Sequence, residues 1–194
     1  LNRWGGQPLP LNASAWVHDI TANPGDDYLF VRLRGAVAAV ESAVTRMGAD
    51  AQALGAKVLR MDKQEAVQDW RASGEQMLQF FEPISGELCL WRLSVPQTAP
   101  VLDLSHIGHP QQYIEWHGAQ RWLWAPATAA SALREAARAA GGHATLFRAS
   151  VLGGSSDKAV GVNAPLDAVQ QRIQRELQKQ FDPQGVFATG RMGI

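Results

Sequence analysis

The order of strand and helix signals along the chain constrains its fold more than any other feature. Residues 28–35 (YLFVRLRG) indicate a strand, a helical spacing of apolar residues follows, and residues 57–61 indicate a second strand. The second half repeats this order, with strands at 88–95 and 143–150 on either side of an Ala-rich helix. Two such units predict an α+β fold: a mainly antiparallel sheet with helices packed on one face, built of ferredoxin-like, possibly duplicated units.

Signals near the middle and the end of the chain add a hairpin, a helix and a turn. Two aromatic runs around residues 117–119 predict a β-hairpin. A last helix is predicted from four apolar residues at four-residue spacing, Val169, Ile173, Leu177 and Phe181. Asp182-Pro183-Gln184-Gly185 suits a type I turn, after which Val186 and Phe187 are expected to pack against the core. Residues 1–27, rich in Gly, Pro and Asn, are expected to be irregular, and residues 28–194 to form one domain.

Composition excludes several kinds of function and site. Eighteen basic residues balance eighteen acidic ones, which argues against nucleic acid as the main partner. Cys89 is the only cysteine, so an internal disulfide and a cysteine-based zinc site are both impossible. His106 and His109 lack an obvious third ligand, and no metal site is predicted. No apolar run approaches the roughly 18 residues of a membrane span, and no signal peptide is recognised.

Alternation along the predicted strands separates an apolar face from a polar one. Cys89, Trp91 and Leu93 share one side of their strand, so Arg92 and Ser94 point to the other. Further polar side chains expected on the second face are Arg32, Arg34, Glu115, His117, Arg121 and Arg148. A face rich in arginine suits a carboxylate or a phosphate, and a carboxylate beside a histidine could transfer protons. A solvated sheet face with scattered ion pairs is the alternative.

Several segments, taken together and in order, resemble one family. The tail FDPQGVFATGRM resembles the end of flavoprotein oxidases of the vanillyl-alcohol oxidase type. RWGGQPLPLNASAW, YLFVRLRG, LWRLSVP, IEWHGAQRWL and AAGGHATLFR resemble the C-terminal half of the FAD-binding subunit of bacterial glycolate oxidase. The resemblance covers most of the chain. It implies the C-terminal cap domain of this FAD-linked oxidase family, without the N-terminal domain that holds most of the FAD.

The resemblance also implies an activity and partners. The activity would be FAD-dependent oxidation of glycolate, a small 2-hydroxy acid, to glyoxylate, within a complex that includes a second flavin subunit and an iron–sulfur subunit. The location would be cytoplasmic, with association to the inner face of the membrane through the partner subunits. This chain alone is expected to be inactive and to lack FAD. The alternatives are a non-catalytic subunit-interaction domain of the same complex and a free-standing small-molecule-binding module on a ferredoxin-like fold.

Candidate site residues follow from the matching segments. Those expected to face substrate or flavin are Arg92, Glu115, Arg121, His143 and Arg148. Gly190 and Arg191 of the tail correspond to the family's flavin-approaching loop, whereas Ala188-Thr189 replaces the usual Asn-Pro. No catalytic residue is assigned.

Overall fold

A computed structural model describes residues 1–19, 25–108 and 110–187. Within these residues one sheet contains strands β1 to β6, which are Leu11–Asp19, Asp26–Leu33, Cys89–Ser94, Gln112–Glu115, Gln120–Ala125 and His143–Arg148. Their order across the sheet is β2-β1-β4-β5-β3-β6, and every neighbouring pair is antiparallel. The α+β class and the antiparallel sheet are confirmed, as is the hairpin, which joins β4 to β5. The ferredoxin-like arrangement stays a prediction.

Two of the five helices in the described residues begin at a residue whose side chain caps the helix. The five are α1 to α5, at Asn2–Gly5, Val37–Ala53, Lys63–Gly74, Ala130–Ala139 and Ala168–Phe181. The Asp62 carboxylate accepts hydrogen bonds from the backbone N–H groups of Gln64 and Glu65 at the start of α3. Asp167 and Gln170 form a capping box at the start of α5. In the part of the chain that the structure describes, no helix is both long and apolar enough to cross a bilayer.

Two sequence expectations about the first half are wrong. Residues 1–27 are not irregular throughout, because residues 11–19 form β1, which lies between β2 and β4. Residues 57–61 do not form a strand. They run beside α2 instead, where the Arg60 guanidinium donates two hydrogen bonds, of 2.9 and 2.8 Å, to the Glu41 carboxylate. The first half therefore lacks the second strand that the repeated order of signals predicted.

One face of the sheet packs against α4. Trp91, Leu93 and Leu123 are fully buried there, against Leu133 and Ala137 of the helix. The alanines of α4 allow the helix to approach the sheet closely, and this is the largest apolar cluster in the described residues. The predicted assignment of Cys89, Trp91 and Leu93 to the core side is confirmed.

The opposite face of the sheet also carries a layer, which is smaller. The sequence predicts helices on one face only. Phe80 and Phe81, in a 3₁₀ turn at Gln79–Phe81, cover the aromatic side chains of Tyr113, Trp122 and Trp124. The indole Nε1–H of Trp124 donates to the Phe80 carbonyl at 2.7 Å. From α3, the Ser73 hydroxyl lies 2.8 Å from that of Tyr113. This layer ends at Trp122, and Arg92 and Thr145, which continue the same face on β3 and β6, lie outside it among the described residues.

Helix α5 and the turn after it pack against little of the described structure. The four residues of the predicted apolar stripe of α5 are between 51% and 84% exposed. The turn itself is as predicted, because the Gly185 N–H donates to the Asp182 carbonyl at 3.0 Å. Val186 and Phe187 are exposed rather than packed against the core. Their N–H groups both donate to the Asp182 carboxylate at 2.8 Å, which holds them in an exposed loop.

A network around Asp157 fixes the segment after β6. The backbone N–H and the hydroxyl of Ser150 both donate to Asp157 Oδ2, at 2.9 and 2.7 Å. The Gly153 N–H donates to the Ser150 hydroxyl, and the buried Cys89 thiol donates to the same carboxylate oxygen at 3.4 Å. The hydrogen bonds that the Asp157 carboxylate accepts lower its pKa below the ordinary value of 3.8, and the bond from the Ser150 hydroxyl has the largest effect.

We expect Ser150→Ala to lower the melting temperature by a few degrees near neutral pH. A lowered pKa in the folded state gives stability that is present above the unfolded pKa and lost as pH falls through the folded pKa. In the variant the pKa of Asp157 is closer to its ordinary value. The difference in melting temperature between variant and wild type should therefore narrow as pH falls below about 4. Thermal melts at neutral and acid pH measure this, with the exposed Ser155→Ala as control. An unchanged difference at both pH values would contradict the assignment.

Candidate functional site

The open part of the second face is built from cross-strand neighbours on four strands. In one row, Trp122 of β5 lies opposite Arg92 of β3, which lies opposite Thr145 of β6. The next row continues from Glu115 through Gln120 and Ser94 to His143. We call the surface formed by these two rows and by Phe147 the Arg92 face, and we call its two rings, Trp122 and Phe147, its aromatic border. The face comprises Arg92, Ser94, Glu115, Gln120, Trp122, His143, Thr145 and Phe147.

Arg92 supplies the available positive charge of this surface. Its guanidinium carbon lies 5.7 Å from the centre of the Phe147 ring, and the Phe147 ring meets Trp122 edge-to-face at 4.9 Å. Within residues 1–19, 25–108 and 110–187, the side chain of Arg92 makes no hydrogen bond or ion pair. Half-buried and held against an aromatic ring, the guanidinium keeps its donors available for an anion.

Glu115 is held in place by two donors on the same oxygen. The side-chain amide of Gln120 donates to Oε1 at 2.6 Å, and the indole Nε1–H of Trp122 donates to it at 2.7 Å. The carboxylate therefore fixes the orientation of Trp122, whose ring supports Phe147 beneath Arg92. This geometry makes Glu115 an orienting group for the aromatic border of the site.

Two of the predicted arginines have structural partners. Arg121 lies on the opposite face, opposite Leu93, and is only 4% exposed. Its guanidinium donates to the carbonyls of Gly118, Pro100 and Ala99, at 3.1, 2.9 and 3.1 Å, and burial lowers its pKa. Arg148 donates to the Phe81 carbonyl at 2.8 Å and so holds the 3₁₀ turn. The structure therefore does not bring Arg121 to the Arg92 face, and it places Arg148 beside the second-face layer.

The remaining predicted residues are divided between this face and the undescribed tail. His143 is exposed at the end of β6, beside Ser94. Gly190 and Arg191, together with Ala188-Thr189 and His109, lie outside the described residues.

Among the residues that are described, no three His, Cys, Asp or Glu side chains are grouped in a way that could hold a metal ion. Thr145 and Phe147 were missed by the sequence reasoning, although their alternation with Ala144 and Leu146 could have indicated them.

The Arg92 face fits contact with one side of a flavin ring but not the binding of a whole FAD. A sheet surface bordered by Trp122 and Phe147 suits a flat ring system. A dinucleotide also needs backbone donors or cations for its diphosphate. The glycine-rich segment at 153–156 does not provide them, because Gly153 lies against the carboxylate of Asp157, whose charge would repel a phosphate. The diphosphate would have to be bound by residues other than these.

Comparison with known proteins finds one informative similarity. The chain is 35% identical over 189 residues to the glycolate oxidase subunit GlcE of Escherichia coli (strain K12). The match covers 97% of this chain and 43% of that protein, so the chain spans less than half the length of its relative. No family model matches the chain, and no solved structure matches it. The predicted similarity to a subunit of bacterial glycolate oxidase is confirmed.

Proposed function

We propose that this chain is the cap portion of a subunit of an FAD-dependent glycolate oxidase, and that its Arg92 face closes over the flavin and the substrate. The observation that carries this proposal is the 35% identity to a glycolate oxidase subunit over 97% of the chain. The guanidinium of Arg92, which has no side-chain hydrogen bond among the described residues and lies beside the rings of Phe147 and Trp122, supports it. FAD would be held mainly by a part of the protein that this chain does not contain, and the isolated chain would be inactive.

In this proposal three residues of the Arg92 face, Arg92, Glu115 and Phe147, have separate tasks. The Arg92 guanidinium pairs with the carboxylate of a small 2-hydroxy acid through two parallel hydrogen bonds. Glu115 keeps Trp122 oriented, and Phe147 holds the guanidinium from one side. The layer formed by Phe80 and Phe81 excludes water from the neighbouring part of the sheet. FAD, when bound, supplies the two-electron chemistry that converts the hydroxy acid to the keto acid.

The proposed setting is a multi-subunit complex. Its other members would be a second flavin subunit and an iron–sulfur subunit, which pass on the electrons removed from glycolate. The complex would work in the cytoplasm, with its association to the inner face of the membrane provided by the partner subunits.

A second candidate function is a non-catalytic role in holding such a complex together. The observation that favours it is the apolar stripe of α5, in which Val169, Ile173, Leu177 and Phe181 are all exposed. Exposed apolar surface of this kind is typical of contacts with other protein. Under this alternative, changes on the Arg92 face would leave turnover unaffected, and changes on α5 would prevent assembly.

Filling the open corner beside Arg92 tests the proposal without removing a charge. In the full-length protein assembled with its partners, we expect Ser94→Trp to lower glycolate-dependent dye reduction at least tenfold, because the large ring would occupy the space beside Arg92. The matched control is Ser131→Trp, at an exposed position of α4, which should keep full activity. Gel filtration reports assembly. Full activity of Ser94→Trp in an intact complex would exclude the proposed site and would favour the second candidate function.

A further inference from the structure

The two edge strands of the sheet, β6 and β2, differ in which segments lie beside them. At the β6 edge, the Leu146 N–H donates to the Val162 carbonyl at 2.9 Å, so the chain folds back to cover that edge. Strand β2 forms the opposite edge, and only β1 pairs with it in the sheet. Within the described residues, no other segment makes a backbone hydrogen bond to the β2 residues, Asp26–Leu33. As far as the described residues go, its outward N–H and C=O groups are available to another strand.

Strand β2 carries charged residues only towards its ends, and its centre lacks the features that protect an edge strand. It has eight residues and contains neither proline nor lysine, and its centre is the apolar run of Tyr28, Leu29, Phe30 and Val31. Tyr28 and Leu29 are each 41% exposed, one on either face of the sheet. A long, apolar, unprotected edge favours pairing with a further strand.

The charges at the two ends of this strand identify its partner. The strand begins with Asp26 and Asp27, and it ends with Arg32 and, one residue beyond β2, Arg34. Two copies of this strand in antiparallel pairing bring the acidic start of one against the basic end of the other. A parallel pair would instead bring like charges together. The strand is therefore complementary to itself in the antiparallel direction only.

We propose that β2 pairs with β2 of a second copy of this chain, around a two-fold axis at Phe30. In that register Phe30 lies opposite its own copy, Tyr28 lies opposite Arg32, and Asp26 lies opposite Arg34. On the other face of the sheet, Leu29 lies opposite Val31. These pairs give an aromatic contact, two contacts between Tyr28 and Arg32, two ion pairs and two aliphatic contacts, whereas Asp27 lies opposite Leu33 without a favourable contact. The result is one continuous sheet through both copies, and it does not depend on the proposed function.

A charge-swap experiment tests this pairing in the full-length protein. Sedimentation equilibrium should show a dimer for the wild type. Asp26→Arg places arginine against Arg34 of the other copy, and we expect it to raise the dimer dissociation constant at least tenfold. Adding Arg34→Asp to Asp26→Arg restores opposite charges between the two copies and should restore the dimer. If these exposed residues only stabilised the fold of one copy, the double variant would not recover dimerisation. The control is Glu87→Arg, an exposed site away from β2. A monomeric wild type, or a dimer that Asp26→Arg leaves unchanged, overturns the proposal.

A crosslinking experiment tests the position of the axis. A short bismaleimide reagent should join two copies of Phe30→Cys efficiently, because the two thiols would face each other. Ser155→Cys, an exposed site beside the covered edge, should give no crosslink. Cys89 contributes little background because it is fully buried, and burial raises its pKa to about 11. A dimer in which position 30 crosslinks no better than position 155 also overturns the proposal.

Discussion

Replacement of Arg92 with alanine is expected to lower kcat/KM for glycolate-dependent dye reduction roughly 100-fold in the assembled complex. Removing one member of a desolvated charge pair costs about 2–5 kcal/mol, and each 1.4 kcal/mol corresponds to about a factor of ten. The Arg92 guanidinium makes no hydrogen bond or ion pair within the described residues, so its donors are available to the substrate carboxylate. Because that interaction binds the substrate before any chemistry, a large share of the effect should appear as a raised KM.

Two control variants make the Arg92 result specific. Arg92→Lys keeps the charge but loses the paired donors, so an intermediate loss is expected. Arg46→Ala removes an exposed arginine from α2 and should leave activity unchanged. Full activity of Arg92→Ala in an intact complex would mean that the substrate carboxylate is bound elsewhere. Equal losses for Arg92→Ala and Arg46→Ala would point to a general effect of net charge instead.

The orientation of Arg92 and Ser94 in β3 could be read from sequence because the side of the strand opposite to them is fully buried. Trp91, Leu93 and Val95 alternate with Arg92 and Ser94, which indicates a period of two, although Leu90, on the same side as Arg92, is also fully buried. The same rule correctly gave the orientation of Arg92, from which the candidate site was built. Local alternation is sufficient where each strand has one apolar side.

The expectation for Arg121 failed because its surroundings come from distant parts of the chain. Trp122 and Trp124 are as apolar as Leu123 and Ala125, so alternation alone does not identify the polar side of β5. Pairing with Leu93 places Arg121 on the α4 side, and carbonyls of residues 99, 100 and 118 satisfy its donors. A buried arginine of this kind is recognisable only when the loop that receives its hydrogen bonds is known.

Strand β1 and the segment at 57–61 show the same dependence on partners. Small and polar residues such as Asn12, Ser14 and Ala15 give β1 a weak strand signal, yet pairing on both sides makes it a strand. Residues 57–61 have a strong apolar signal but no strand beside them, and the Arg60–Glu41 pair holds them against α2. The α5 stripe is a further case, since its spacing predicts an apolar face without indicating what covers it. In each case the missing information is tertiary.

Replacement of Trp91 with alanine should cost about 3–5 kcal/mol of unfolding free energy, a large part of the roughly 5–15 kcal/mol available to a domain. Trp91 is fully buried against α4, its Nε1–H donates to the Ala125 carbonyl at 3.2 Å, and the Arg134 guanidinium lies 5.9 Å from the centre of its ring. Urea unfolding followed by circular dichroism measures the loss. The matched control is Trp116→Ala, since Trp116 at the hairpin is 65% exposed and its removal should change stability by less than about 0.5 kcal/mol. Equal losses of unfolding free energy at positions 91 and 116 would contradict the core described for the α4 side of the sheet. They would also contradict the separation of that core from the Arg92 face.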